Sequence, residues 1–251
     1  SALIAGVVHS LFFILAFAPF SFWGFAFLIP FPLFIIAKSN KLAPSRRAFW
    51  GALGCSPAWT WTHLWVGDVS VAGLIPLVIM LSFYSFMFLW IASHLVNKLG
   101  RAAIVLPIAW VGIEFFRGSI LWGGYPWYLI SHPLIDSPLG ILAMPASVGG
   151  TYFVSFLCAA YCSLLLCAIS ARSSKDRLLA GSKAGGLFTL WITVGYILIP
   201  STPTDGQTIR VAIIQPDIPQ DSHLDWTVRQ RLRDWYTLRD ITQSAIDDPQ
   251  N

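Results

Sequence analysis

Long apolar runs separated by short polar segments make up the first 200 residues of the chain. The first 37 residues contain no Asp, Glu, Lys or Arg, which is enough for two apolar helices joined by a turn near residues 18–21. Because about 20 apolar residues span a bilayer as a helix, the pattern predicts a polytopic α-helical membrane protein with about seven transmembrane helices. The predicted spans are Leu3–Phe17, Phe22–Ala37, Phe49–Val66, Val71–Val96, Ala102–Phe116, Leu139–Ile169 and Ala184–Ile199.

The composition agrees with this pattern. Of the 251 residues, 56% are hydrophobic and 11% are charged, and the mean hydropathy is +0.66. Soluble domains carry about 25% charged residues, and disordered chains combine low hydrophobicity with high net charge. The composition therefore excludes a soluble domain and a disordered chain.

The positive charges predict the orientation of the spans, because Lys and Arg are retained on the cytoplasmic side. With a cytoplasmic N-terminus, ten cations lie in cytoplasmic loops and Arg117 alone lies on the other face. The ten are Lys38, Lys41, Arg46, Arg47, Lys98, Arg101, Arg172, Lys175, Arg177 and Lys183. We therefore expect residues 1–200 to form the membrane domain and residues 201–251 to be extracytoplasmic. The basic charge belongs to these loops, so no nucleic-acid surface is expected.

Cysteine and histidine give no sign of a metal site or a cofactor. The histidines lack the spacing of metal ligands. Cys158 and Cys162 are four residues apart and would share a helix face, and we interpret them as packing residues. His63, among Trp59, Trp61 and Trp65, is interpreted as part of an aromatic belt at a membrane interface rather than as a catalytic residue.

Glu114 and Arg117 are ionisable residues in predicted span five, three residues apart on one helix face. Charges inside a membrane are costly and often functional. A transporter would use such a pair as a relay for protons or substrate. The simpler interpretation is a pair near the outer end of the helix that fixes the following loop. That loop, residues 118–138, is aromatic, rich in Gly and Pro and almost uncharged, which suits an interfacial or re-entrant segment.

The last 51 residues have a different pattern. A turn-rich linker precedes a β-branched run, Ile209–Ile214, which predicts a buried strand closed by Gln215. A helix is predicted to follow from an N-cap at Asp225. Its apolar positions are Val228, Leu232, Trp235, Leu238 and Ala245. Because a single strand cannot form a sheet, we expect these residues to be the incomplete start of an α/β domain.

Three motifs resemble those of bacterial apolipoprotein N-acyltransferases, in the same order and spacing. The first is Ala18-Pro-Phe-Ser-Phe-Trp23. The second combines Trp110, Glu114 and Arg117 with Gly124-Tyr125-Pro126-Trp127. The third is Arg210-Val-Ala-Ile-Ile-Gln215-Pro-Asp-Ile-Pro-Gln220, with Trp226 after it. The resemblance covers essentially the whole chain.

The resemblance implies a helical membrane domain carrying a nitrilase-like domain outside the cytoplasmic membrane of a bacterium. It also implies a phospholipid acyl donor and an acceptor apolipoprotein with a diacylglyceryl-modified cysteine. A Cys thiolate takes the acyl chain as a thioester and passes it to the α-amino group of that cysteine, while a Glu acts as base and a Lys stabilises the oxyanion. By position, the resemblance makes substrate-binding candidates of Trp226, Gln215, Gly124, Tyr125, Pro126 and Trp127.

The chain departs from the family at the catalytic residues. Its only Glu is Glu114, its last Lys is Lys183 and its last Cys is Cys167, so residues 201–251 contain none of the three types. We therefore expect no catalytic residue in this chain, and expect it to be an inactive amino-terminal fragment whose Glu, Lys and Cys follow Asn251. The chain also begins with Ser1 and not with Met, so we expect its amino terminus to be incomplete. Two alternatives stay open: a non-catalytic membrane scaffold or binding protein, and a secondary transporter using Glu114 and Arg117, which the lack of an internal repeat disfavours.

Overall fold

The computed structural model describes residues 1–99, 101–120, 123–200, 211–216 and 227–247. Regular structure in these ranges is helical. The α-helices are α1 (Ala2–Ala16), α2 (Phe31–Lys38), α3 (Pro44–Thr62), α4 (Leu64–Val69), α5 (Val71–Leu99), α6 (Ala102–Phe115), α7 (Ala146–Ser170), α8 (Ser174–Ile197) and α9 (Val228–Asp247). Short 3-10 helices cover Trp23–Phe27, His132–Asp136 and Pro138–Gly140, and a π-helix continues α6 over Phe116–Ile120.

Four helices in the described ranges are long and apolar enough to cross a membrane: α5, α6 with its π-helical extension, α7 and α8. They confirm a mainly helical protein with several candidate membrane spans. Two further predicted spans correspond to shorter apolar helices, α1 and the stretch Trp23–Lys38. The remaining predicted span, Phe49–Val66, overlaps α3 and α4. The count of seven therefore stays a prediction.

Three of the predicted boundaries were wrong for local reasons. Span two is divided into a 3-10 turn and α2, because Pro30 and Pro32 interrupt the helix at its start. Span six begins at Ala146 and not at Leu139, which has a positive φ of 58° between two 3-10 helices. Span seven begins ten residues before the prediction, at Ser174, where the Ser173 side chain caps the helix by accepting from the Lys175 N–H.

Helices α1 and α3 pack with their backbones in close contact at glycines. A Cβ on Gly6 would collide with the Gly51 carbonyl and the Gly54 Cα. Ser10 then inserts into α3 beside Pro57: its hydroxyl donates to the Gly54 carbonyl at 2.8 Å and accepts from the Ala58 N–H at 3.3 Å. In a regular helix these two groups bond each other, so Ser10 gives both of them a second partner next to Pro57, which has no N–H to donate.

The remaining helices extend this pair into a bundle. Helix α3 packs on α5, α5 on α6, α6 on α7 and α7 on α8. Cys158 and Cys162 are both fully buried on α7, as their spacing predicts, and the Cys158 thiol donates to the Ala26 carbonyl at 3.4 Å. Large apolar side chains such as Ile79 on α5 and Ile108 on α6 point outward, as expected for helices in contact with lipid.

The end of the chain confirms one predicted element. Residues 211–216 have no regular secondary structure, so the described part of the predicted strand Ile209–Ile214 is not formed, and Ile209 and Arg210 lie outside the described residues. The helix is present as α9. It begins at Val228 with a capping box, in which Thr227 and Gln230 exchange side-chain to backbone hydrogen bonds. The predicted cap, Asp225, lies outside the described residues.

Candidate functional site

The candidate site lies where the segment 123–145, here called the aromatic loop, folds back onto the ends of α3 and α6. Leu129, Ile130 and Leu134 of this loop are buried. Phe17, after the end of α1, packs edge-on against Tyr128 with ring centroids 5.1 Å apart. The loop is thus partly an interior element and not only an interfacial one.

Glu114 holds this loop through a backbone hydrogen bond. Its side chain is buried on α6, and Oε1 accepts from the Ile130 N–H at 3.0 Å. The second oxygen, Oε2, is buried without a hydrogen-bond partner among the described residues. The Glu114 carboxyl therefore fixes the backbone of the loop at Ile130.

Arg117 holds the same loop two residues earlier. It is 3% exposed, and Nη2 donates to the Tyr128 carbonyl at 3.3 Å. Its guanidinium lies 5.2 Å from the centre of the Trp59 ring, within the range of a cation–π contact. Nη1 has no partner within the described part of the chain. Arg117 therefore connects α6 to both the loop and α3.

The direct ion pair that the spacing of Glu114 and Arg117 suggested is not formed. The ion pair found within 4.0 Å among the described residues is Arg239–Asp240. The α-helical spacing does not continue, because α6 ends at Phe115 and Arg117 lies in the π-helix, whose wider turn changes the direction of the side chains. Both residues bind loop backbone instead, which supports the interpretation that they fix the loop over that of a relay.

His63 belongs to this site and not to an aromatic belt. It is fully buried, Nδ1 lies 2.8 Å from the Trp59 carbonyl, and Nε2 lies 2.6 Å from the Tyr125 hydroxyl. A carbonyl can only accept, so we assign the proton to Nδ1, and Nε2 accepts from Tyr125. Burial, helped by the nearby Tyr128 and opposed by Arg117, raises the pKa of Tyr125 to about 12. The phenol consequently keeps its proton near neutral pH.

Further hydrogen bonds attach the loop to its surroundings. The Tyr128 hydroxyl donates to the Thr62 carbonyl at 2.9 Å, and the Tyr125 N–H donates to the Arg117 carbonyl at 2.7 Å. Ser131 is within 2.8 Å of the Thr151 hydroxyl on α7. The loop is therefore bound to α3, α6 and α7 together.

A small cavity lies behind the loop. It has a volume of about 50 Å³. Its walls include three residues with buried polar atoms that are unpaired in the described structure: Trp110 Nε1, Glu114 Oε2 and Arg117 Nη1. This volume is enough for a few water molecules, at about 10–15 Å³ each on the same measure.

The opposite side of the loop presents aromatic surface. Trp127 is 61% exposed, and Pro126 beside it is exposed as well. Gly124 has a positive φ of 92°. A Cβ there would meet the Gly118 carbonyl, so the two backbone segments are in close contact. The loop holds Tyr125 inside and Trp127 outside.

The structure brings together six of the eight site residues predicted from the sequence. Glu114, Arg117 and Gly124–Trp127 lie together at the aromatic loop. Gln215 is exposed in the segment 211–216, and no hydrogen bond within the described residues joins it to the loop. Trp226 lies outside the described residues. His63, Trp59 and Tyr128 are part of the site although the sequence did not assign them to it.

Replacing Tyr125 with phenylalanine should lower the free energy of unfolding by about 1–3 kcal/mol, because the buried His63 Nε2 loses its donor. Unfolding in detergent micelles measures the change. Tyr196→Phe is the matched control, since Tyr196 is exposed on α8. Removing its hydroxyl should change the free energy of unfolding by less than about 0.5 kcal/mol. Equal effects of the two substitutions would contradict the His63–Tyr125 hydrogen bond.

Comparison with known proteins identifies the family. A family model described as the apolipoprotein N-acyltransferase N-terminal domain matches residues 9–164. Curated proteins named apolipoprotein N-acyltransferase are also similar. The protein of Pasteurella multocida is 30% identical over 65% of this chain and 32% of its own length. That of Vibrio cholerae is 28% identical over 93% of this chain and 46% of its own length. That of Methylococcus capsulatus is 31% identical over 82% of this chain and 42% of its own length.

The matched regions contain the residues that build the candidate site. The family model extends from α1 into α7 and includes the aromatic loop with Glu114, Arg117 and His63. The chain spans less than half the length of the three curated relatives. It belongs to the apolipoprotein N-acyltransferase family.

Proposed function

We propose that this chain is the membrane part of an acyltransferase of lipoprotein biosynthesis. The reaction moves an acyl chain from a phospholipid to the α-amino group of a diacylglyceryl-cysteine on an apolipoprotein. The match of the N-terminal domain family to residues 9–164 carries the proposal. The apolar helices support a location in a bacterial inner membrane.

The proposed topology has seven spans and a cytoplasmic N-terminus. Residues 1–200 form the membrane domain, and residues 201–251 are the linker and first elements of an extracytoplasmic nitrilase-like domain. The distribution of cations supports this orientation, because only Arg117 of the eleven in residues 1–200 would lie on the outer side. The aromatic loop then faces outward.

In the proposed reaction a cysteine Sγ attacks the ester carbonyl of the phospholipid. The ester C–O bond breaks, a lysophospholipid leaves, and a thioester forms. The acceptor amine then attacks the thioester carbonyl and displaces the thiolate. Three of the four cysteines, Cys55, Cys158 and Cys162, are fully buried, whereas a reactive thiolate requires access. The fourth, Cys167, is half-buried near the end of α7 that the proposed topology places on the cytoplasmic side. We therefore propose that the Glu, Lys and Cys of the reaction belong to the part of the family's proteins that this chain does not cover.

The membrane part would contribute a rigid surface for the lipid substrate. Trp127 and Pro126 offer exposed apolar contact area, while Tyr125 is anchored to His63. Glu114 and Arg117 hold the backbone of the loop from beneath. Rigid aromatic side chains contribute contact area at low cost in entropy.

Gln215 and Trp226 are proposed substrate contacts on the domain that begins after residue 200.

A chimera tests the proposed function. Residues 1–251 are joined to the part of the Vibrio cholerae relative that follows its matched region, and the purified chimera is mixed with phospholipid vesicles and a synthetic diacylglyceryl peptide. Mass spectrometry should detect a peptide that has gained one acyl group. Residues 1–251 alone, in the same vesicles, should give no product.

Two results would contradict the proposal in different ways. A folded chimera that transfers no acyl chain would favour the non-catalytic scaffold or binding protein. Transfer by residues 1–251 alone would show that the nucleophile is within this chain.

A further inference from the structure

A second feature, far from the aromatic loop, is a groove of about 600 Å³ between α1 and α2. Its walls are mainly apolar, and they include Ile4, Ala5, Val8 and Phe12 of α1 with Phe31 and Ile35 of α2. One end is polar, formed by Ser39, Lys41 and Arg47.

Arg47 makes this end unusual. It is 2% exposed in the first turn of α3, and no carboxylate among the described residues lies within 4.0 Å of it. Nη1 donates to the carbonyls of Ile36 and Ala37, at 3.2 and 3.3 Å, and so caps α2. Nε is buried and has no partner in the described structure. A buried cation without a counter-ion is costly, so the groove is suited to an anion.

The dimensions of the groove fit a lipid. Ile4 and Phe12 are eight residues apart on α1, which corresponds to about 12 Å along the helix. That length is close to one leaflet of a hydrocarbon core about 30 Å thick. In the proposed orientation the basic end faces the cytoplasm, where anionic lipids bind basic pockets between helices.

The groove is distinct from the acyl-transfer site. The basic end lies beside the start of α1, whereas the aromatic loop contacts Phe17 after the end of α1. The 15 residues of α1 separate the two by about 20 Å.

We propose that this groove binds one anionic phospholipid of the cytoplasmic leaflet, with its phosphate at Arg47 and Lys41 and an acyl chain along α1 and α2. The lipid would supply the counter-ion of Arg47 and cover the apolar faces of both helices. This inference goes beyond acyl transfer and does not depend on it.

Native mass spectrometry of the 251-residue chain in detergent tests the site. The probes are dioleoyl phosphatidylglycerol and, as a lipid of equal chain composition without net charge, dioleoyl phosphatidylcholine. We expect one molecule of phosphatidylglycerol to be retained in preference to phosphatidylcholine. Arg47→Gln should weaken the binding of phosphatidylglycerol about fivefold, which is the effect of one basic residue near an anionic lipid surface.

Two matched controls distinguish this site from general charge and general apolar surface. Arg46 precedes Arg47, and its side chain is exposed. Arg46→Gln removes the same charge as Arg47→Gln, but it should change lipid binding less than twofold. Ile4→Trp fills the groove while Arg47 stays intact, and should weaken binding even if Arg47→Gln disturbs α2. Leu11→Trp, on the same helix and also exposed, should not.

The proposal is overturned by any of three results. These are equal weakening by Arg46→Gln and Arg47→Gln, retention of both lipids without preference, and unchanged binding in Ile4→Trp.

Discussion

Replacing Arg117 with methionine should lower the free energy of unfolding by about 3–5 kcal/mol, because a buried charge-assisted hydrogen bond and a cation–π contact are lost and a buried carboxyl loses a nearby cation. The substitution removes the hydrogen bond to the Tyr128 carbonyl and the cation–π contact with Trp59. It also leaves the Glu114 carboxyl buried without a cation nearby. Unfolding in detergent micelles, followed by circular dichroism, measures the loss.

The double variant Arg117→Met with Glu114→Gln separates the two contributions. If the buried carboxyl causes most of the cost, the double variant should be more stable than Arg117→Met alone, because an amide still accepts from the Ile130 N–H without carrying charge. Arg46→Met is the matched control, since Arg46 is exposed on α3 and should cost less than about 0.5 kcal/mol. A loss below about 1 kcal/mol in Arg117→Met would contradict the role of Arg117 as an interior anchor.

Glu114 and Arg117 both bind backbone groups of the aromatic loop, and this explains which features of the site the sequence could predict. An ionisable residue within an apolar run is visible in the sequence, so Glu114 and Arg117 could be selected as candidates. Their partners could not, since the Ile130 N–H and the Tyr128 carbonyl lie 16 and 11 residues away in a segment without periodicity. Helical spacing predicted a direct pair, and the π-helix at Phe116–Ile120 changed the geometry.

His63 shows the same limit over a longer distance. Its neighbours Trp61 and Trp65 are exposed, which agrees with an interfacial position, but His63 itself points inward to Tyr125, 62 residues later. No local pattern relates two residues so far apart. Contact between them depends on how the aromatic loop folds onto α3, which is a tertiary property.

The helical elements were easier to predict than their ends. Apolar runs located α5 and α6 closely, because a helix that contacts lipid must be apolar along its length. They misplaced the start of α8, because Lys175, Arg177 and Lys183 lie within the helix and interrupt the apolar run but not the hydrogen-bonded backbone. Hydropathy measures the environment of a helix, whereas caps such as Ser173 determine where it begins.

The glycines of the aromatic loop should respond very differently to alanine. Gly124→Ala should lower the free energy of unfolding by about 2–4 kcal/mol, combining the strain of a positive φ with overpacking. The new Cβ would meet the Gly118 carbonyl and the Ser119 Cα. Both are backbone atoms, so no change of rotamer can relieve the contact, and the loop must move.

Gly123→Ala is the matched control, because Gly123 also has a positive φ, 83°, but no atom lies within 4 Å of the new Cβ in the described structure. It should cost only the backbone strain, about 1–2 kcal/mol. In the acyl-transfer chimera, movement of the loop by about 1 Å should lower kcat/KM on the order of 10²-fold in Gly124→Ala, and Gly123→Ala should stay within about threefold of the parent. If the two variants lose the same activity and the same stability, backbone strain alone accounts for both. The close contact between Gly118 and Gly124 then does not position Tyr125 and Trp127.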